Sequence, residues 1–156
     1  MNKNQKILKL SLWIINFQVI GFLMGQMTKA NIANWYVLLN KSALTPPNIT
    51  FGIVWSVLYI LLAYIGFVTF HLKSDKLKKC QVPYVVQMIL NWIWTPFFFA
   101  MHQIGMALFI LTIMVIVNIY LTYIFWKKRE IIFYMNLIYQ VWIFFAWYLN
   151  FYIALH

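Results

Sequence analysis

Acidic side chains are almost absent from this sequence. Only two of its 156 residues are acidic, Asp75 and Glu130, and both lie between long apolar runs rather than inside them. Paired carboxylates for general acid–base catalysis are therefore excluded within those runs. The same absence removes the buried Asp or Glu through which a proton- or sodium-coupled transporter usually works.

Side chains that bind metals are also few. Cys80 is the only cysteine, which excludes an intrachain disulfide and any site built from several thiolates. We expect His71 at one end of the molecule and both His102 and His156 at the other end, so the histidines cannot converge on one metal ion. The sequence therefore predicts no metal site and no required cofactor.

Charge of either sign is scarce, whereas apolar residues are abundant. Charged residues make up 9% of the chain and hydrophobic residues 65%, against about 25% and about 45–50% in a soluble domain. Lipid must therefore be the solvent for most of this surface. The net charge of +10 would suit nucleic acid, but the basic residues lie in short clusters between apolar runs, as is typical of membrane flanks. We expect one membrane domain over residues 1–156 and no nucleic-acid partner.

Five apolar runs are each long enough to cross a bilayer, which takes about 20 residues. They cover residues 7–27, 50–71, 82–101, 105–126 and 131–154. The runs are continuously apolar rather than alternating, which favours helices over the strands of a barrel. The predicted fold is an all-α bundle of five transmembrane helices. No internal repeat is visible, which argues against a transporter built from two related halves.

Basic residues are unevenly distributed among the connections. Two of them, Lys29 and Lys41, follow the first run. The other ten lie before or at the start of the first run, or follow the second and fourth runs: Lys3, Lys6, Lys9, Lys73, Lys76, Lys78, Lys79, Lys127, Lys128 and Arg129. The positive-inside rule then predicts a multi-pass cell-membrane protein with a cytoplasmic N-terminus. The C-terminus and the long connection 28–49 are expected on the extracytoplasmic side.

The connection 28–49 is unusually long and aromatic. Pro46 and Pro47 cannot continue a helix, and before them we expect a short interfacial helix over Asn31–Asn40, with its aromatic residues at headgroup depth. Beyond the prolines, Trp55 and Tyr59 lie one turn apart on the second helix. We interpret residues 28–49 as a lid over a pocket, and the second helix as one wall of that pocket.

Three of the predicted helices carry a polar-aromatic stripe at helical spacing. The stripes are Trp55, Tyr59 and Leu62; Tyr84, Gln87, Asn91, Trp94 and Phe98; and Tyr139, Trp142, Ala146 and Leu149. One interpretation is packing between helices, with the amides bridging neighbours. The other is a concave pocket for a flat, aromatic, lipophilic ligand, in which Ala146 leaves room beside Trp142 and Asn91 and the indole N–H groups donate to the polar edge of the ligand.

Gly21 and Gly25 on the first helix have the small-xxx-small spacing that lets helices approach closely. The spacing is compatible with packing inside the bundle or with a homodimer face.

Three blocks of sequence carry a family resemblance. The first holds Trp35-Tyr36, Leu39, Lys41, Pro46-Pro47, Phe51, Val54-Trp55 and Leu58-Tyr59; the second Gln87, Leu90-Asn91, Trp94 and Phe97-Phe98; the third Tyr139, Trp142, Ala146 and Leu149-Asn150. Together they resemble the translocator protein / TspO family of tryptophan-rich sensory proteins and peripheral benzodiazepine receptors. They cover almost the whole chain after the first helix. Ser42 and Ile138 stand where the family has proline. The richness in Ile, Lys and Asn is typical of a bacterial member.

The resemblance implies a ligand and a site. Members bind porphyrins such as protoporphyrin IX, and many bind isoquinoline carboxamides and benzodiazepines, in a pocket between the helices. Some bacterial members promote light-dependent porphyrin breakdown that depends on pocket tryptophans, which match Trp55 and Trp142 here. The expected ligand-binding residues are Trp35, Tyr36, Trp55, Tyr59, Gln87, Asn91, Trp94, Trp142 and Ala146.

Two functions follow as expectations. The first is a porphyrin-binding receptor or sensor, in which Trp55 and Trp142 stack on the ring, Lys41 lies near its propionates, and light supplies the energy for any degradation. The alternative is a translocator of porphyrins or other lipophiles. The expected partners are an aromatic lipophile, the lipid bilayer and a second copy of the chain.

Overall fold

The computed structural model describes residues 2–71, 75–127 and 130–156 and contains five long helices and no strand in these ranges. They are α1 (Lys3–Ile32), α2 (Asn48–His71), α3 (Asp75–Thr95), α4 (Ile104–Trp126) and α5 (Glu130–Leu155). All five are long and apolar enough to cross a membrane, the third when counted together with the turn that follows it. The predicted all-α membrane bundle is confirmed. Lys73, Lys128, Arg129 and the side chain of Lys76, which enter the charge argument, lie outside the described residues.

Helix α1 is longer at both ends than the predicted run 7–27. At its start Asn2 accepts a hydrogen bond from the Gln5 N–H at 2.8 Å, and the Gln5 side chain accepts one from the Asn2 N–H. This capping box satisfies amides that a helix end otherwise leaves open. At the other end the Thr28 and Asn31 side chains donate to carbonyls of their own helix, which gives these polar groups partners within α1.

The short helix predicted over Asn31–Asn40 is wrong in its extent, because the connection is helical only over Tyr36–Leu38. Helix α1 ends at Ile32, and only a short 3₁₀ turn, Tyr36–Leu38, follows. Residues 33–47, called the lid below, otherwise run without regular structure to the start of α2. Side-chain contacts with α5 and with the turn after α3, described below, hold the lid in place.

The predicted third helix is interrupted near its end. Helix α3 stops at Thr95, and Pro96–Ala100 form a π-helical turn, closed by the Met101 N–H on the carbonyl of Pro96 at 2.9 Å. Proline lacks the N–H of a regular helix, and wide turns of this kind are frequent at functional sites. The turn buries Phe98 and Phe99 directly beneath the lid.

A cluster of buried amides joins α3, α4 and α5. Asn118 donates a short hydrogen bond to the Gln87 carbonyl oxygen and lies 3.3 Å from Asn136, which in turn donates to the Thr122 hydroxyl at 2.8 Å. Gln87, Asn118 and Asn136 are fully buried. Gln87 therefore bridges α3 and α4, as the packing interpretation of its stripe predicts. It does not line the cavity described below.

Gly21 faces α2, whereas Gly25 is exposed and borders open space. A Cβ at Gly21 would lie 2.6 Å from the Tyr59 ring, whereas a Cβ at Gly25 would meet no atom within 4 Å. Gly21 therefore contributes to packing inside the bundle, whereas Gly25 makes no such contact among the described residues. The homodimer itself stays a prediction.

We expect Gly21→Ala to lower the free energy of unfolding by about 1–3 kcal/mol, since an added methyl group in a filled contact forces backbone or ring displacement. Gly25→Ala is the matched control, one turn away on the same helix. Thermal unfolding of both variants in the same detergent checks this. Equal midpoints for the two variants would contradict the close α1–α2 contact.

Candidate ligand-binding site

A cavity of about 670 Å³ lies beneath the lid and is lined by residues of α1, α2, α3 and α5. Small-molecule sites usually measure about 300–1,000 Å³. The residues that line it are mainly aromatic, aliphatic and neutral polar, and Lys29 is the one charged side chain among those described.

Helix α2 supplies the aromatic wall. Trp55 and Tyr59 lie one turn apart, with ring centroids separated by 5.8 Å, and the Trp55 ring lies 6.5 Å from that of Trp94 on α3. Within the part of the chain that the structure describes, the Trp55 N–H has no hydrogen-bond partner. The Trp94 N–H, by contrast, donates to the Asn150 side chain at 3.2 Å. Trp55 is therefore the lining tryptophan whose N–H is available to a ligand.

Hydrogen bonds between three helices form the inner end of the cavity. The Tyr59 hydroxyl donates to the Asn91 carbonyl oxygen at 2.9 Å, and the Asn91 amide donates to the Tyr139 hydroxyl at 3.0 Å. The Tyr139 hydroxyl then approaches the Met114 sulfur at 3.3 Å. We call Tyr59, Asn91 and Tyr139 the polar floor. Asn91 was expected to donate to a ligand, but its side chain is engaged within the protein on both its oxygen and its nitrogen.

The lid covers the outer end of the cavity. Tyr36 is only 5% exposed and packs against Phe98 and Phe99, with ring centroids 6.3 and 5.6 Å away. Burial raises the pKa of Tyr36 to about 12, so its hydroxyl keeps its proton at physiological pH. Lys41 donates to the carbonyls of Tyr36 and Val37 at 2.9 and 3.1 Å. Lys41 therefore stabilises the turn of the lid and does not line the cavity.

Further contacts fasten the lid to the bundle. The indole of Trp35 stacks on His102 at 4.2 Å, which places it beside the connection between α3 and α4 rather than in the cavity. Ser42, which stands where the resembling family has proline, is buried and lies 3.0 Å from the Tyr148 hydroxyl of α5. Asn40 donates to the carbonyl of His156 at 3.0 Å. The serine thus ties the lid to α5 by a hydrogen bond that proline could not make.

The structure brings most of the predicted site residues together. Tyr36, Trp55, Tyr59, Asn91, Trp94 and Ala146 line the cavity, whereas Trp35, Gln87 and Trp142 do not. Trp142 lies behind Trp55, with ring centroids 6.4 Å apart in an edge-to-face arrangement. Its buried N–H has no partner among the described residues. Trp142 therefore supports the wall that Trp55 presents.

Sequence reasoning missed the wall that α1 contributes. Gln18, Gly21, Phe22, Gly25, Gln26 and Lys29 all line the cavity. The Gln18 side chain donates to the carbonyl of Ser56 at 2.8 Å and joins α1 to α2 on this side. The small and polar residues at helical spacing in the first apolar run could have indicated this wall. The spacing of Gly21 and Gly25 is, however, equally typical of contacts between helices, within the bundle or in a homodimer.

The profile of the TspO/MBR family matches residues 13–156. The tryptophan-rich protein TspO of Archaeoglobus fulgidus is 29% identical over 150 residues, which cover 96% of this chain and 97% of that protein. The translocator protein of Bos taurus is 34% identical over 91 residues, 56% of this chain and 54% of the relative. The tryptophan-rich sensory protein of Cereibacter sphaeroides is 31% identical over 80 residues, 51% and 49% of the two chains. The chain thus matches about half the length of the last two and nearly all of the archaeal protein.

We expect Asn91→Leu to lower the free energy of unfolding by about 1–2 kcal/mol, because it leaves two buried hydroxyl groups without their amide partner. Asn16→Leu is the control, since that exposed amide donates only to a carbonyl of its own helix. Thermal unfolding in detergent measures both variants. A smaller loss for Asn91→Leu than for Asn16→Leu would contradict the polar floor.

Proposed function

The chain belongs to the TspO/MBR family of membrane sensor and translocator proteins, and from that premise we propose that it is a membrane receptor for porphyrins and similar flat lipophiles. The proposed ligand is protoporphyrin IX, bound in the cavity under the lid, and synthetic lipophiles of the benzodiazepine type would occupy the same space. The observation that carries the proposal is the aromatic cavity of about 670 Å³ with Trp55 on its wall.

The aromatic lining supports a flat ligand. A planar macrocycle gains most from rings it can stack on, and aromatic pairs contribute about 0.5–1.5 kcal/mol beyond the area they bury. Trp55, Tyr59 and Trp94 provide neighbouring rings on two helices. Phe98 extends this surface toward the lid, with its ring 5.5 Å from that of Trp94.

Lys29 supports an acidic ligand. It lines the cavity near the end of α1, and no acidic residue is among the described residues that line the same space. A propionate at the edge of a porphyrin would find this ammonium group close to the lid. Lys29 takes the role that the sequence suggested for Lys41, since Lys41 is bonded to the backbone of the lid.

The same geometry supports light-dependent degradation as a secondary activity. The described lining contains no cysteine, histidine or carboxylate for ordinary catalysis. Light would excite the bound porphyrin, and molecular oxygen would be the oxidant that opens the macrocycle. Trp55 would be the indole in contact with the ring, whereas Trp142 would act through Trp55.

Translocation of porphyrins or other lipophiles is the alternative. A ligand would then have to pass the polar floor of Tyr59, Asn91 and Tyr139, whose side chains join α2, α3 and α5. If the N-terminus is cytoplasmic, as the basic clusters indicate, the cavity is on the extracytoplasmic side. Porphyrin flux into liposomes above the protein-free control would favour this alternative over a receptor.

We expect Trp55→Phe to weaken protoporphyrin IX binding about 3- to 10-fold, which corresponds to the loss of one good aromatic contact. The same variant should slow the light-dependent loss of porphyrin absorbance. Trp126→Phe is the control, because Trp126 is 70% exposed at the end of α4, far from the cavity. Fluorescence titration measures binding, and absorbance in light and in darkness measures degradation. Equal affinities for the two variants would contradict stacking on Trp55, and equal light-dependent rates would remove its photochemical role.

We expect Lys29→Gln to weaken the binding of protoporphyrin IX but not of its dimethyl ester, because only the free acid carries the negative charge that Lys29 attracts. Lys9→Gln is the control on the same helix, since Lys9 does not line the cavity. Titrating both ligands against both variants tests the assignment. An equal loss for acid and ester would mean that Lys29 acts through packing instead.

A further inference from the structure

A second groove lies on the half of the bundle away from the lid. It measures about 480 Å³ and is formed by one face of α1, one face of α3 and the end of α2. Its lining includes Lys9, Trp13, Phe17 and Ile20 of α1 and Tyr84 and Ile89 of α3. None of them lines the cavity under the lid.

The groove owes its depth to Gly66 on α2. A Cβ at Gly66 would lie 2.3 Å from the Trp13 ring and 2.5 Å from the Tyr84 hydroxyl, so both side chains sink into the surface of α2. Above them α1 packs loosely, since Phe17 is its one buried residue among those described. The result is a recess between α1 and α3 that is open to lipid.

The length of the groove matches one leaflet. Lys9 and Ile20 mark its extent along α1, and a rise of about 1.5 Å per residue makes that distance about 17 Å. Half of the hydrocarbon core of a bilayer is about 15 Å. The groove therefore runs from the membrane boundary to the middle of the bilayer, which is the path of one acyl chain.

The charge at the mouth of the groove favours an anionic headgroup. Lys9 lines the mouth, and Lys6 precedes it by three residues on the exposed end of α1. None of the described residues that line the groove is acidic. A second copy of the chain is a poorer occupant, because a two-fold pair in the membrane would bring the same lysine-bearing ends of α1 together.

We propose that this groove binds one anionic glycerophospholipid from the leaflet on the side of the N-terminus, with an acyl chain between α1 and α3 and the phosphate at Lys9. The lower, apolar part of the groove accommodates the chain, and the lysines of α1 select the headgroup charge. The site is separate from the porphyrin cavity, so its occupancy does not depend on the function proposed above.

Native mass spectrometry of the full-length protein, titrated with phosphatidylglycerol or phosphatidylcholine of the same chains, tests the proposal. We expect one tightly bound phosphatidylglycerol. Lys9→Gln should weaken it about 5-fold, the contribution of one lysine near an anionic surface, whereas Lys29→Gln at the other end of α1 should not.

A second pair of variants tests the location. Ile89 is 49% exposed and lines the groove, so Ile89→Trp should fill it and remove the tight adduct. Val86, 38% exposed on α3 but outside the groove, provides the matched control Val86→Trp. Equal binding of the two lipids, or no difference between the two tryptophan variants, would overturn the proposal. So would a dimer in the same spectra that Ile89→Trp converts to monomer without a change in lipid binding.

Discussion

A polar side chain inside a bilayer has no water to bind, so it must find its hydrogen-bond partner within the protein. This constraint organises the bundle. Gln87, Asn118 and Asn136 join α3, α4 and α5, and Asn91 joins α2 to α3 and α5 through two tyrosine hydroxyls. Each bond links two different helices and restricts how each helix is rotated about its axis. The aromatic wall of the cavity depends on that rotation.

The same constraint decides which groups remain for a ligand. Once Asn91 and Trp94 are bonded within the protein, the polar groups that remain in the lining include the Trp55 N–H, the Lys29 ammonium and the side-chain amides of Gln26 and Asn48. A site with stacking surfaces and one cation at its edge suits a flat acid better than a hydrogen-bonding polar molecule. The receptor proposal therefore rests on the polar groups that are not bonded within the protein as much as on the aromatic residues that line the cavity.

The helical period of the sequence correctly predicted which face of a helix is buried, but not which residues of the other helices that face contacts. Gln87 and Asn91 lie one turn apart on one stripe, yet Gln87 meets Asn118 whereas Asn91 reaches the cavity. Trp142 shares the buried face of Ala146 but lies behind Trp55. The wall on α1 was missed because glycine and glutamine at helical spacing are typical of helix packing as well as of a cavity. Pro96 interrupted a helix whose apolar pattern continued without change.

The amino-acid sequence was sufficient for the membrane setting, the five helices and the family, because hydropathy, helical period and short motifs are local properties of the chain. Spatial packing settled the rest. In the packed bundle Gln87 bonds to Asn118 of another helix, Lys41 bonds to the backbone of the lid, and Lys29 lines the cavity. The same packing leaves a second groove between α1 and α3. These outcomes depend on which helices are neighbours and how each is rotated, and contacts between residues far apart in the chain determine both.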